Sequence, residues 1–158
     1  MKANREITCT CCFTPSTRIF MADDSQKCIK EVRIGDKIAS INGEIKEVGC
    51  DVQEEAEEYF VLKTKGGHKL ELSGDHPVLT VNGWEQARTL RKGDKVACQD
   101  GALTEHYYEE VESLELKEEH SEMYNLICDD CAIIANGIVC GDFHVQFKLQ
   151  FKMQFRKK

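Results

Sequence analysis

Proline is scarce: the chain of 158 residues has two, Pro15 and Pro77. No apolar run approaches the roughly 18 residues that span a bilayer, so a membrane helix is not expected. Residues 1–10 lack the apolar centre of a secretory leader, so localisation is unknown, with a cytosolic setting expected by default. Surplus positive charge is missing too, since the net charge is −7. A basic excess occurs only at the end, with five Lys and Arg and no acidic residue from His144 to Lys158. The rest stands at −12, from 16 basic against 28 acidic residues. A body of that charge is not built to grip nucleic acid. Neither nucleic acid nor a membrane is expected as a partner.

What is present suits a folded domain. Hydrophobic residues make up 41% of the chain, which argues against disorder. The length fits one domain with a buried core. Nine cysteines stand out: Cys9, Cys11, Cys12, Cys28, Cys50, Cys98, Cys128, Cys131 and Cys140. An odd number without an export signal argues against a complete disulfide framework. Cys28, Cys50 and Cys98 lie in apolar or strand-like surroundings and read as small buried hydrophobes. The other six crowd towards the two ends.

Short strand-like segments alternate with turns at a spacing near ten residues. They are 17–21, 37–41, 59–64, 69–72, 77–81, 95–98, 110–116, 124–128, 132–135 and 138–140. This spacing predicts an all-β domain. A helical turn is expected after Trp84, where Ala87 and Leu90 share a face. The acidic run Glu105 to Glu122 reads as a solvated strand or loop. Val32-Arg33-Ile34-Gly35-Asp36-Lys37-Ile38-Ala39-Ser40 matches Leu90-Arg91-Lys92-Gly93-Asp94-Lys95-Val96-Ala97-Cys98 at an offset of 58 residues. In each copy Gly-Asp supplies a turn and the next residues enter a strand. The match indicates a duplicated β subdomain and a pseudo-twofold fold; the alternative is two unrelated turns of a common type. In the tail, Val145, Phe147, Leu149, Phe151, Met153 and Phe155 alternate with polar residues, a period-2 pattern that reads as a final strand, with a cationic surface-binding arm as the alternative. Unpaired, it would be an aggregation-prone edge softened by its lysines.

Two segments carry chemistry. In Leu72-Ser73-Gly74-Asp75-His76-Pro77-Val78-Leu79-Thr80, the proline fixes the backbone of His76. Ser73 and Asp75 can orient the ring, and imidazole suits proton transfer near neutrality. A purely structural histidine in a turn would look the same. In Cys11-Cys12-Phe13-Thr14-Pro15-Ser16-Thr17-Arg18-Ile19, a thiol is both nucleophile and leaving group. Cys12 can attack the carbonyl of Cys11 and exchange an amide for a thioester, with nearby donors stabilising the oxyanion. The competing reading is a metal-binding cysteine cluster.

These pieces resemble a family. Cys12-Phe13-x-Pro15-x-Thr17-x-Ile19, followed by Ala22-Asp23 and Gly35-Asp36, resembles the N-terminal block of inteins and bacterial-intein-like domains. Ser73-x-x-His76-Pro77-Val78-Leu79-Thr80, with Gly83-Trp84 and Gly93-Asp94, resembles their second block; Thr usually stands where Ser73 does. Tyr124-Asn125-Leu126 and Ala135-Asn136-Gly137-Ile138 resemble the C-terminal block. The resemblance runs from Cys12 to Asp142. It implies the Hint (hedgehog/intein) fold, a compact, flattened, all-β structure with pseudo-twofold duplicated subdomains. It implies an N-terminal flank over 1–11, an autoprocessing domain over 12–142 and a C-terminal flank over 143–158.

The departures narrow the expected activity. Splicing inteins end in a penultimate His, a cyclising Asn and a following Cys, Ser or Thr; here Gly141, Asp142 and Phe143 stand there. Phe143 cannot accept an acyl group, and Asp142 cyclises poorly. Asn125 stands where Asp is usual, and Cys131 where His often lies. The expected catalytic set is therefore Cys12, Ser73, Asp75, His76, Asn125, Cys131, Gly141 and Asp142. The expected reaction is single-turnover cleavage through a Cys12 thioester, with weak C-terminal cleavage or inefficient splicing. The flanking host segments are the substrate, and an outside amine or thiol can serve as acceptor. No cofactor is required. A regulatory zinc on Cys12, His76, Cys131 and Cys140 is the second expectation, since zinc favours Cys and His ligands. A cysteine-rich zinc module without cleavage is the rival reading.

Overall fold

Short strands dominate the computed structural model, which describes residues 12–102, 104–129 and 131–156, with 150–156 described by backbone alone. In chain order they are β1 (Arg18–Phe20), β2 (Gln26–Cys28), β3 (Lys37–Ala39), β4 (Ile45–Glu47), β5 (Cys50–Ala56), β6 (Tyr59–Thr64) and β7 (Lys69–Leu72). There follow β8 (Pro77–Thr80), β9 (Gly83–Gln86), β10 (Lys95–Cys98), β11 (Tyr107–Lys117), β12 (Ser121–Ile127), β13 (Ala132–Ala135) and β14 (Ile138–Gly141). One helix, α1 (Phe143–Arg156), closes the described chain. Nine strands join antiparallel in the order β2-β1-β13-β14-β8-β10-β11-β6-β7, and β9 adds to β8. β12 pairs with β5, and β3 with β4. The all-β expectation holds. A short 3-10 turn, Ala87–Thr89, follows Trp84 where a helical turn was expected.

The repeat is structural, hydrogen bond by hydrogen bond. Gly35 N–H donates to Val48 O and Val48 N–H to Asp36 O; Gly93 and Val111 do the same with Asp94. Asp36 accepts from Arg33 N–H at 2.9 Å, and Asp94 from Arg91 N–H at 2.8 Å. Gly35 and Gly93 have φ near +93° and +94°, which only glycine adopts freely. Two unrelated turns would not share this whole network. Beyond the turns the copies exchange arms. β5 crosses to β12, and β11 crosses to β6. That exchange carries Tyr124 across to Phe13.

The main core gathers Phe13, Ile19, Leu72, Val78, Ile133 and Ile138, all fully buried. β13 is buried along its whole length, as a central strand must be. Cys98 is buried as expected, but Cys50 is exposed and Cys28 half-buried. Both of the latter sit on peripheral strands, β5 of a two-stranded ribbon and β2 at the sheet edge.

The tail is a helix, not the strand its alternation predicts. Asp142 explains the change. Its carboxylate accepts the Val145 N–H at 3.0 Å, and its carbonyl accepts the Gln146 N–H at 3.1 Å. An aspartate N-cap satisfies donors that a starting helix otherwise leaves open. Val145 and Gln146 are buried, while Phe147 faces solvent.

Candidate functional site

Cys12 and Phe13 are clamped between two strands. Phe13 N–H donates to Tyr124 O at 2.7 Å, and Tyr124 N–H returns the bond at 2.8 Å. On the other side, Ser73 N–H donates to Cys12 O at 2.9 Å. The Cys12 N–H donates to Ser73 Oγ at 2.8 Å. The nitrogen of the Cys11–Cys12 peptide bond is thereby fixed by a buried hydroxyl. Cys12 itself is fully buried.

Ser73 opens the turn that holds His76. His76 N–H donates to Ser73 O at 3.2 Å, and Pro77 leads straight into β8. The imidazole is fully buried and lies against Phe13, with ring centroids 4.1 Å apart. Its Nε2 is 2.9 Å from the Gly141 carbonyl oxygen. Asp75 has a charge partner that the motif does not include. Its carboxylate pairs with Arg88 at 2.6 Å. A Cβ at Gly74 would meet that guanidinium at 2.8 Å, so this glycine leaves Arg88 its place. Arg88 had no signal in the sequence, because nothing in its spacing from Asp75 suggests a pair.

The C-terminal residues arrive beside the same histidine. Asp142 N–H donates to Cys131 O at 3.1 Å. The Asp142 carboxylate accepts Cys128 N–H at 2.8 Å as well as Val145 N–H. Asn125 is buried, and its side-chain oxygen accepts Leu126 N–H at 2.8 Å. Phe143 packs on a small cluster of Cys12, Tyr59, Val61 and Met123. The two ends of the 12–142 segment therefore meet.

Several of the candidate zinc thiols are paired or deeply buried. Cys128 and Cys131 are joined as a disulfide, and Cys12 is disulfide-bonded as well. Cys140 is fully buried in β14, and burial pushes its thiol well above the ordinary range. Among the described residues, Cys12, His76, Cys131 and Cys140 do not form one cluster of ligand atoms. Two other sets do: Cys128, Cys131 and Asp142, and His68, Cys98 and Glu109.

Comparison with known proteins agrees with this fold. The model of the Hom_end-associated Hint family matches residues 12–129. A DnaB intein from Synechocystis sp. PCC 6803 superposes with a TM-score of 0.75 at 18% identity, over 83% of this chain and 97% of that one. A bacterial intein-like domain from Clostridium thermocellum gives 0.70 at 22% identity, over 85% and 99%. The PabCDC21-1 intein gives 0.73 at 18%, over 83% and 98%. No curated protein matches in sequence. With three quarters of its length matched and the same curled β architecture, the chain belongs to the Hom_end-associated Hint family.

Proposed function

We propose that this Hint domain processes itself through Cys12. The Cys12 sulfur attacks the carbonyl carbon of Cys11. The C–N bond of that peptide breaks, and the Cys12 nitrogen leaves as an amine after gaining a proton relayed by His76. The product is a thioester between the upstream segment and Cys12. Water, or an outside amine or thiol, then attacks the thioester and frees that segment. The flanking host segments are the substrate, and the chemistry needs no cofactor.

One observation carries this reading: the Cys12 N–H is held on Ser73 Oγ at 2.8 Å, in the turn that presents His76. A fixed nitrogen, with a buried imidazole stacked on the adjoining Phe13, suits leaving-group protonation. The Cys12 disulfide adds a condition, since the sulfur must be reduced before it can attack.

Events at the other end follow from Asp142. Its carboxylate already accepts two backbone N–H donors, which holds it away from its own carbonyl carbon. C-terminal cleavage is accordingly weak, and splicing without a downstream acceptor inefficient. The test is a fusion with an unrelated protein upstream, followed by fragment size. Dithiothreitol should release the upstream protein from the wild-type fusion and leave the Cys12→Ala fusion intact. Equal release from both would remove Cys12 from the mechanism.

A further inference from the structure

Away from the Cys12 site, three side chains from three neighbouring segments converge. His68 stands in the β6–β7 turn, Cys98 ends β10, and Glu109 lies in β11. One ligand atom from each lies within 4.8 Å of the other two. His68 Nδ1 is 2.9 Å from Glu109 Oε1. Cys98 is fully buried at the base, while the side chains of His68 and Glu109 are 21% and 15% exposed. Zinc with three protein ligands and one open position draws on this mixture of thiolate, imidazole and carboxylate.

We propose that His68, Cys98 and Glu109 form a zinc site. Tetrahedral ligands at about 2.0–2.3 Å from the ion stand roughly 3.3–3.7 Å apart, so the set closes with small side-chain shifts. Two glycines make room for it. A Cβ at Gly66 would run into the Glu109 carboxylate, and one at Gly137 into the His68 ring. Gly66 is not among the positive-φ residues, so its missing side chain serves space rather than conformation. Glu109 is also held from outside the set. The Thr64 hydroxyl donates to Glu109 Oε1, and the Thr64 Oγ1 in turn accepts His68 N–H at 3.0 Å. Outer partners of this kind orient metal ligands. His68 borders an open pocket of about 440 Å³ that also touches Arg18, Lys69, Asp100 and Asn136, which gives the fourth position a route to solvent. On binding, Cys98 loses its proton to solvent, and one thiolate plus one carboxylate balance the ion's charge.

The site lies at the Asn136-Gly137 end of the β13–β14 hairpin, while His76 reads Gly141 at the other end. Zinc binding is therefore measurable without any processing, and its failure would leave the Cys12 reading untouched. The experiment titrates the reduced, metal-free full chain, carrying Cys12→Ala, with zinc chloride under native mass spectrometry. Binding of one zinc is expected, retained after Cys128→Ser and Cys131→Ser and lost at one equivalent in His68→Gln or Cys98→Ser. Thr64→Val should weaken it about tenfold. Cobalt(II) in place of zinc should show a thiolate charge-transfer band that is absent in Cys98→Ser, with circular dichroism confirming that each variant folds. No bound zinc overturns the proposal. So does zinc that survives Cys98→Ser in a folded protein, or that depends on Cys128 and Cys131 instead.

Discussion

At the residue scale, the proposed chemistry turns on the amide nitrogen of Cys12. Its hydrogen bond to Ser73 Oγ fixes the nitrogen of the peptide bond that the proposed reaction breaks. Ser73→Ala removes one neutral hydrogen bond of about 1 kcal/mol, so upstream release should slow by roughly two- to tenfold. His76→Ala removes the proposed proton donor and should cost about 10²–10⁴ in rate, measured as the single-turnover rate constant under dithiothreitol. If His76→Ala releases as fast as wild type, His76 is not the proton donor. Both residues were legible in the sequence through the Ser73-x-x-His76-Pro77 pattern. The pairing of Asp75 with Arg88 was not, because charge partners across a turn leave no period in the chain. His68, Cys98 and Glu109 were equally hidden, since strand pairing alone brings them together.

At the scale of elements, Asp142 is the pivot between sheet and helix. As N-cap of α1 and acceptor for Cys128 N–H, it serves both. Asp142→Ala should lower stability by about 1–2 kcal/mol for the cap, and more for the buried Cys128 N–H left without an acceptor. Chemical unfolding would read this, and an unchanged midpoint would contradict the cap. The first of the two Gly-Asp turns carries a titrating group. The Arg33 backbone N–H, then Lys27, holds the Asp36 carboxyl below its ordinary value. A lowered carboxyl stabilises the fold above the ordinary aspartate range, near pH 4, and loses that contribution as pH falls through its folded value. The melting difference between wild type and Asp36→Asn should therefore shrink from pH 7 towards pH 3. The Gly-Asp turns were readable in sequence because glycine and aspartate have few other reasons to recur in that order. The helical tail was misread because alternation favours a strand until a cap and a docking face decide otherwise. β5 went unseen because its acidic residues lie on a half-exposed ribbon rather than in the core.

At the scale of the molecule, duplication and arm exchange place both ends of the 12–142 segment at one histidine. Phe13 is bonded to Tyr124, Cys12 shares a cluster with Phe143, and His76 contacts the Gly141 carbonyl. One imidazole packs on Phe13, next to Cys12, and also reaches the Gly141 carbonyl, but under the proposed chemistry the two ends are not equally armed. Cys12 offers a sulfur once reduced, while Asp142 offers a carboxylate tied to backbone donors. Asp142→Asn should raise C-terminal cleavage above wild type, because an amide nitrogen can attack its own carbonyl carbon. The most direct test is the intact mass of the chain fused to an unrelated protein at each end and incubated with dithiothreitol. Two species are expected: the released upstream protein, and the domain still joined to its downstream partner. An unchanged mass under strong reductant, or release that persists in Cys12→Ala, would contradict the account.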